Sequence, residues 1–129
     1  MSLQPVSLWP QDLIVVGDKA PVTILREQAT ALGNQTKNLL EGYVERSHLS
    51  TASVLFYTFQ IIAPAVGGYK YDLFVITHDV VHMYPVLVSY QTNETVCANE
   101  VEFRERLGHI FSSEHTLAVV RSLLAQSMG

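Results

Sequence analysis

Leu25, Ala29, Leu32, Thr36 and Leu39 follow one another at three- and four-residue steps, the stripe of an amphipathic helix over about 22–40. Pro21 suits the first turn of that helix, where a missing N–H costs nothing. Gly33 weakens its middle by about 1 kcal/mol relative to alanine, too little to interrupt it. From Gly42 onward the period falls to two. Strands are predicted near 42–47, 54–63, 69–77 and 82–90, separated by Ser47 to Ser53, by Pro64-Ala65-Val66-Gly67-Gly68 and by His78-Asp79-Val80-Val81. Connections this short join antiparallel neighbours, so the strands form a meander.

The register follows from burial. A five-residue loop at 64–68 pairs Ala63 with Tyr69, and a four-residue loop at 78–81 pairs Thr77 with His82. One face then collects Leu55, Tyr57, Phe59, Ile61, Tyr71, Leu73, Val75, Tyr84, Val86, Val88 and Tyr90. A three-residue second loop would mix Lys70 and Asp72 into that set, so the four-residue loop is expected. The other face is mixed: Thr58, Gln60, Lys70, Asp72 and Ser89 are polar, with Phe56, Phe74, Ile76 and Met83 as an apolar cluster at one end. Pro85 removes a ladder donor from the last strand, which marks that strand as a sheet edge.

Two helices close the chain. Asn99 with Glu102 three residues on is a capping box, and Phe103, Leu107, Ile110 and Phe111 form the stripe behind it. Glu100–Arg104 and Glu102–Arg106 are i,i+4 pairs in the favourable order. Ser112 or Ser113 caps the last helix, whose stripe is Leu117, Val120 and Leu124. The expected fold is therefore α+β: an antiparallel four-stranded meander with one N-terminal and two C-terminal helices, all in a single domain over 1–129. Residues 1–20 read as irregular, or as a short strand through Leu13-Ile14-Val15-Val16.

Four strands make a sheet about 19 Å wide, and helices packed 8–10 Å apart leave room for about two on one face. The third helix, the N-terminal strap with Trp9, Leu13 and Ile14, or another molecule must then meet the mixed face. A contiguous exposed apolar patch marks an interaction site. Phe56, Phe74, Ile76 and Met83 are the expected partner-binding residues.

Composition narrows the classes. Apolar residues are 48% of 129 and charged residues 16%, enough greasy surface to offset the ordering entropy of a domain this size. Eight Lys+Arg against twelve Asp+Glu give a net charge of −4. With no basic stripe to release counterions, nucleic acid is not an expected partner. The tyrosines Tyr57, Tyr69, Tyr71, Tyr84 and Tyr90 resemble an RNA-stacking platform only without the basic rim such platforms carry, so they are expected to pack with hydroxyls at the rim. The longest apolar runs are far short of the ~20 residues of a membrane span, and the N-terminus lacks the basic and apolar regions of a signal peptide. One cysteine cannot bridge within the chain and fits a reducing compartment, so a cytoplasmic protein is expected.

The candidate chemistry is thin. His78 and His82 share a pentapeptide with Asp79 and are the metal candidates, with His109 and His115 as alternatives only if the fold brings them near, but the spacing of the pair crosses a hairpin turn and no third ligand is near in sequence. Asp79 is explained by bonding its own turn backbone. Cys97 lies between Glu94 and Glu100, which raise a thiol's pKa rather than activate it. Glu100, Glu102 and Glu105 are absorbed by the cap and the helix face. Gly67-Gly68 sits in a hairpin turn and is followed by Tyr69 instead of the lysine and Ser/Thr of a phosphate loop, so it is none. No catalytic residue, metal or cofactor is expected. The pattern points to a protein-interaction module (homodimer, adaptor or inhibitor-like). The alternative is a small-ligand or metal-binding protein, even an enzyme, with a pocket between sheet and helices near His78, His82 and Tyr84.

Overall fold

A computed structural model describes residues 6–14 and 17–129. Val15 and Val16, half of the expected N-terminal strand or strap, lie outside the described residues. The order is α1 (Pro21–Gln35), β1 (Glu41–Arg46), β2 (Val54–Ala63), β3 (Tyr69–Asp79), β4 (Val86–Tyr90), β5 (Asn93–Cys97), α2 (Glu100–Phe111) and α3 (Glu114–Met128). The class is α+β, but the antiparallel meander has five strands, ordered β1-β2-β3-β4-β5, where the sequence predicts four. Among the described residues no helix is long and apolar enough to cross a membrane.

The helix from Pro21 stops at Gln35, five residues early. Lys37 and Asn38 take left-handed φ of 51° and 63°, and the Asn38 N–H bonds back to the Gly33 carbonyl at 2.8 Å, which uses up a terminal acceptor. The Thr36 hydroxyl donates to the Leu32 carbonyl at 2.8 Å and accepts from the Leu40 N–H at 3.2 Å, turning the chain into β1. There α1 packs directly on the sheet, Ala29 lying over Gly42.

The first hairpin matches expectation, with Ala63 opposite Tyr69 and left-handed Gly67 and Gly68 in the turn. The second does not. The β2–β3 register slips between Phe59 and Gln60, whose partners are Phe74 and Asp72, so Leu73 is an extra residue. This bulge reverses parity along the rest of β3. Phe74 and Ile76 turn to the helix-covered side, at 3% and 0% exposure, and Val75 turns away from it. Thr77 pairs with Leu87, not His82, so 80–85 is a loop and Pro85 precedes β4 instead of sitting within it. Nor is β4 an edge: it lies between β3 and β5, joined to β5 by a two-residue turn in which Gln91 has φ 53°.

A fifth strand widens the sheet to about 24 Å, and all three helices then share one face. Their side chains meet the sheet in one core built from Ile24, Leu25, Phe59, Ile61, Phe74, Ile76, Val86, Val88, Phe103, Leu107 and Ile110. Phe59 stacks on Phe74 with ring centroids 5.3 Å apart, and Phe111 packs against both at 5.4 and 5.8 Å.

The caps are those expected. Asn99 Oδ1 accepts from the Glu102 N–H at 3.0 Å and Ser113 Oγ from the Thr116 N–H at 3.3 Å. Glu102 reaches back to the Ala98 N–H at 3.2 Å, while Arg106, its expected partner, lies over the Tyr90 ring. Glu100 and Arg104 do pair, at 2.8 Å. Glu100 also accepts the Lys19 N–H at 2.7 Å, and Tyr84 Oη donates to the Lys19 carbonyl at 2.9 Å, so the approach to α1 is tied to the start of α2. The bonds that the Glu100 carboxylate accepts from the Lys19 N–H and from Arg104 hold it below its ordinary range.

Burial, with the negative charge of Glu100 and Asp18 beside it, pushes the Tyr84 phenol from 10.0 up to about 12. A phenol held neutral in the fold contributes its full stability below pH 10 and loses it as pH climbs through 12. The alkaline limb of the thermal midpoint, followed by circular dichroism, should therefore be flatter between pH 10 and 12 in Tyr84→Phe than in the wild type. Parallel limbs would show that the phenol titrates normally.

Candidate interaction surface

Among the described residues, no helix covers the reverse of the sheet, which is left bare. It presents Glu41, Tyr43 and Glu45 from β1 and Val54, Phe56, Thr58, Gln60 and Ile62 from β2. Past the bulge, β3 adds Val75, Thr77 and Asp79 to Lys70 and Asp72 before it, and β4 and β5 supply Leu87, Ser89, Glu94 and Val96. Trp9, Leu13 and Ile14, the expected strap, do not roof it: they are 73%, 60% and 89% exposed.

Register arranges this face in rows. Phe56, Thr77, Leu87 and Val96 stand opposite one another across four strands, an apolar band bounded by Thr58, Val75, Ser89 and Glu94 in the next row. Phe56, Val75 and Leu87 are half-buried by their neighbours and Val96 is 63% exposed. Glu45, Asp79 and Glu94 flank the band in the neighbouring rows, with Asp72 one row beyond and Glu41 farther along β1; among the described residues Lys70 is the single cation on this face. Surface charge of one sign raises the local concentration of a partner of the other.

Gln60 is the exception on this face, only 6% exposed. Its Nε2 donates to Glu45 Oε2 at 3.0 Å and to Asp72 Oδ1 at 2.8 Å, while its Oε1 is buried with no partner. An acceptor left this way costs about 1–3 kcal/mol. Tyr43, directly opposite Gln60 on β1, is 51% exposed beside it. Among the described residues neither carboxylate has an ion-pair partner.

Of the expected partner-binding residues, the fold brings together none as a patch. Phe74 and Ile76 are core, Met83 is in the 80–85 loop, and only Phe56 lies on the bare face. Tyr43, Val75, Leu87 and Val96 take the place of the others. The bulge hid Val75, and the unread β5 hid Val96.

The metal candidates separate as well. His78 points into the covered side, 8% exposed, stacked on Tyr57 at 6.3 Å, with Nδ1 2.8 Å from the Asp79 carbonyl. His82 stands exposed in the loop. Among the described residues no group of three or more His, Cys, Asp or Glu side chains is placed to hold a metal. Tyr84 is half-buried with its hydroxyl engaged. Cavities open elsewhere: one of about 220 Å³ between α1 and α3 reaches Leu32, Phe59 and Leu73, and one of about 450 Å³ lies beside Tyr71 and His115, whose side chains are 2.8 Å apart. Tyr90, buried, shares its hydroxyl with Ser113 Oγ at 2.7 Å. Cys97 is buried at the end of β5, and burial, then the Glu102 charge, pushes its thiol up.

Compared with protein-family models, curated proteins and solved structures, the chain matches none.

Proposed function

We propose that this chain is a cytoplasmic protein-interaction module whose bare sheet face receives a basic protein with an apolar centre. The observation that carries this is the apolar band of Phe56, Leu87 and Val96 flanked in the neighbouring rows by Glu45, Asp79 and Glu94, with Asp72 one row beyond. An apolar centre with a charged rim is the anatomy of an interface, and the sign of the rim selects a cationic partner. A second copy fits worse, because it would set one acidic border against another. The lone cysteine, buried at the end of β5, suits a reducing compartment.

The test is site-specific photo-crosslinking in the native cells from positions 43 and 96, with exposed Val101 and Gln126 on the helix side as controls. The recovered protein is then titrated against purified wild type and Leu87→Asp. The expected result is a basic protein captured from 43 and 96 but not from 101 and 126. Its affinity should fall at least tenfold in Leu87→Asp and fall again as salt is raised. Crosslinks only between copies of this chain, or affinity untouched by Leu87→Asp, would overturn the reading.

A further inference from the structure

We infer that Tyr43, Glu45, Gln60 and Asp72 form a notch that takes an arginine side chain of the partner. The inference rests on the interaction reading above and gives it a chemical anchor. Gln60 occupies the middle of a bare sheet face yet is only 6% exposed. Both hydrogens of its amide are held by carboxylates on either side, Glu45 from β1 and Asp72 from β3. The same amide carries the unpartnered buried oxygen. Among the described residues, two anions without an ion-pair partner and one acceptor without a donor thus share a single amide group.

A guanidinium answers the charge of both carboxylates and can donate to the amide oxygen. It is planar, permanently charged and carries five N–H donors in a fork. Entering between the carboxylates, it takes over the two bonds that Nε2 now donates, and a half-turn of the amide sets Oε1 toward it while turning Nε2 away from both carboxylates. Amide oxygen and nitrogen exchange places in such a turn with little change of shape. Tyr43, opposite Gln60 and half-exposed, offers a ring face on which the guanidinium plane can lie. A lysine ammonium supplies one point of charge and stacks less well, so it satisfies fewer of these groups. A metal ion would find only two carboxylates.

Nuclear magnetic resonance titration of the whole chain with N-acetyl-arginine amide tests this, read at the Gln60 side-chain amide and the Tyr43 ring. N-acetyl-lysine amide, N-acetyl-citrulline amide and calcium chloride are the comparisons. Arginine amide should give saturable shifts confined to the notch, at least fivefold tighter than lysine amide, with none from citrulline. Glu45→Gln and Asp72→Asn should each weaken binding tenfold or more, their remaining amide spectrum showing the fold intact. Tyr43→Leu should weaken it severalfold. Equal shifts from lysine and arginine, shifts that survive both substitutions, or tighter saturation by calcium would overturn the arginine assignment. If the notch fails while Leu87→Asp still lowers the affinity of the captured partner at least tenfold, only the anchor is wrong. If the notch binds arginine amide but positions 43 and 96 capture nothing basic, the interaction reading is wrong.

Discussion

Gly42→Ala is expected to lower stability by roughly 3 kcal/mol, at the upper end of what overpacking costs. A Cβ at this position would stand 2.4 Å from Ala29 Cα, 2.7 Å from its Cβ and 2.9 Å from its carbonyl oxygen. Two of those three atoms are helix backbone, so no rotamer change relieves the clash. The whole of α1 must lift from β1, and with it Ile24 and Leu25, both fully buried. Ala29→Gly in the same chain removes only the Cβ contact and should recover a minority of the loss. Urea unfolding checks this: the midpoint should fall with an unchanged slope. A loss below about 0.5 kcal/mol would mean that α1 slides on the sheet without penalty.

Phe74→Asp should abolish folding, and Phe74→Ala should cost about 3–5 kcal/mol. Phe74 is 3% exposed, stacked on Phe59 and edge-on to Phe111. An aspartate there is an unpaired charge in the core, which no local rearrangement solvates. Leu87→Asp makes the informative contrast: it changes a comparably greasy residue on the bare face and should cost far less. Circular dichroism and urea titration of the two aspartate variants separate them. A folded Phe74→Asp would place this side chain outside the core and return β3 to unbroken alternation.

That contrast marks where the sequence was readable and where it was not. The β2 limits, the pairing of Ala63 with Tyr69 and the caps at Asn99 and Ser113 were legible because each is local: a period of two, a glycine turn, a side-chain oxygen three residues from its N–H. The bulge at Leu73 was not. Leu73-Phe74-Val75-Ile76 is apolar at every position, so period two carries no parity there, and only packing against Phe59 and Phe111 decides which side Phe74 takes. β5 was missed for a related reason. Asn93-Glu94-Thr95-Val96-Cys97 buries a single residue fully, Cys97, and leaves Val96 in the open, so it lacks a buried stripe to announce it. With one strand short, the sheet came out too narrow for three helices. The bare face was then anticipated, but populated with two residues that belong to the core. The Gln60 cluster was legible as polar positions on the mixed face. Its closure was not, since it depends on Glu45, Gln60 and Asp72 from three strands meeting at one register.

Trp9 is the chain's sole tryptophan, and it sits 73% exposed in the segment before α1, away from Phe59, Phe74 and Phe103. Intrinsic indole fluorescence is consequently a poor gauge of global unfolding for this molecule: the emission starts near the wavelength of a solvated indole and has little further to travel. The same placement makes it a clean, label-free beacon for anything that settles on the leading segment, since a blue shift can arise only where the indole leaves water.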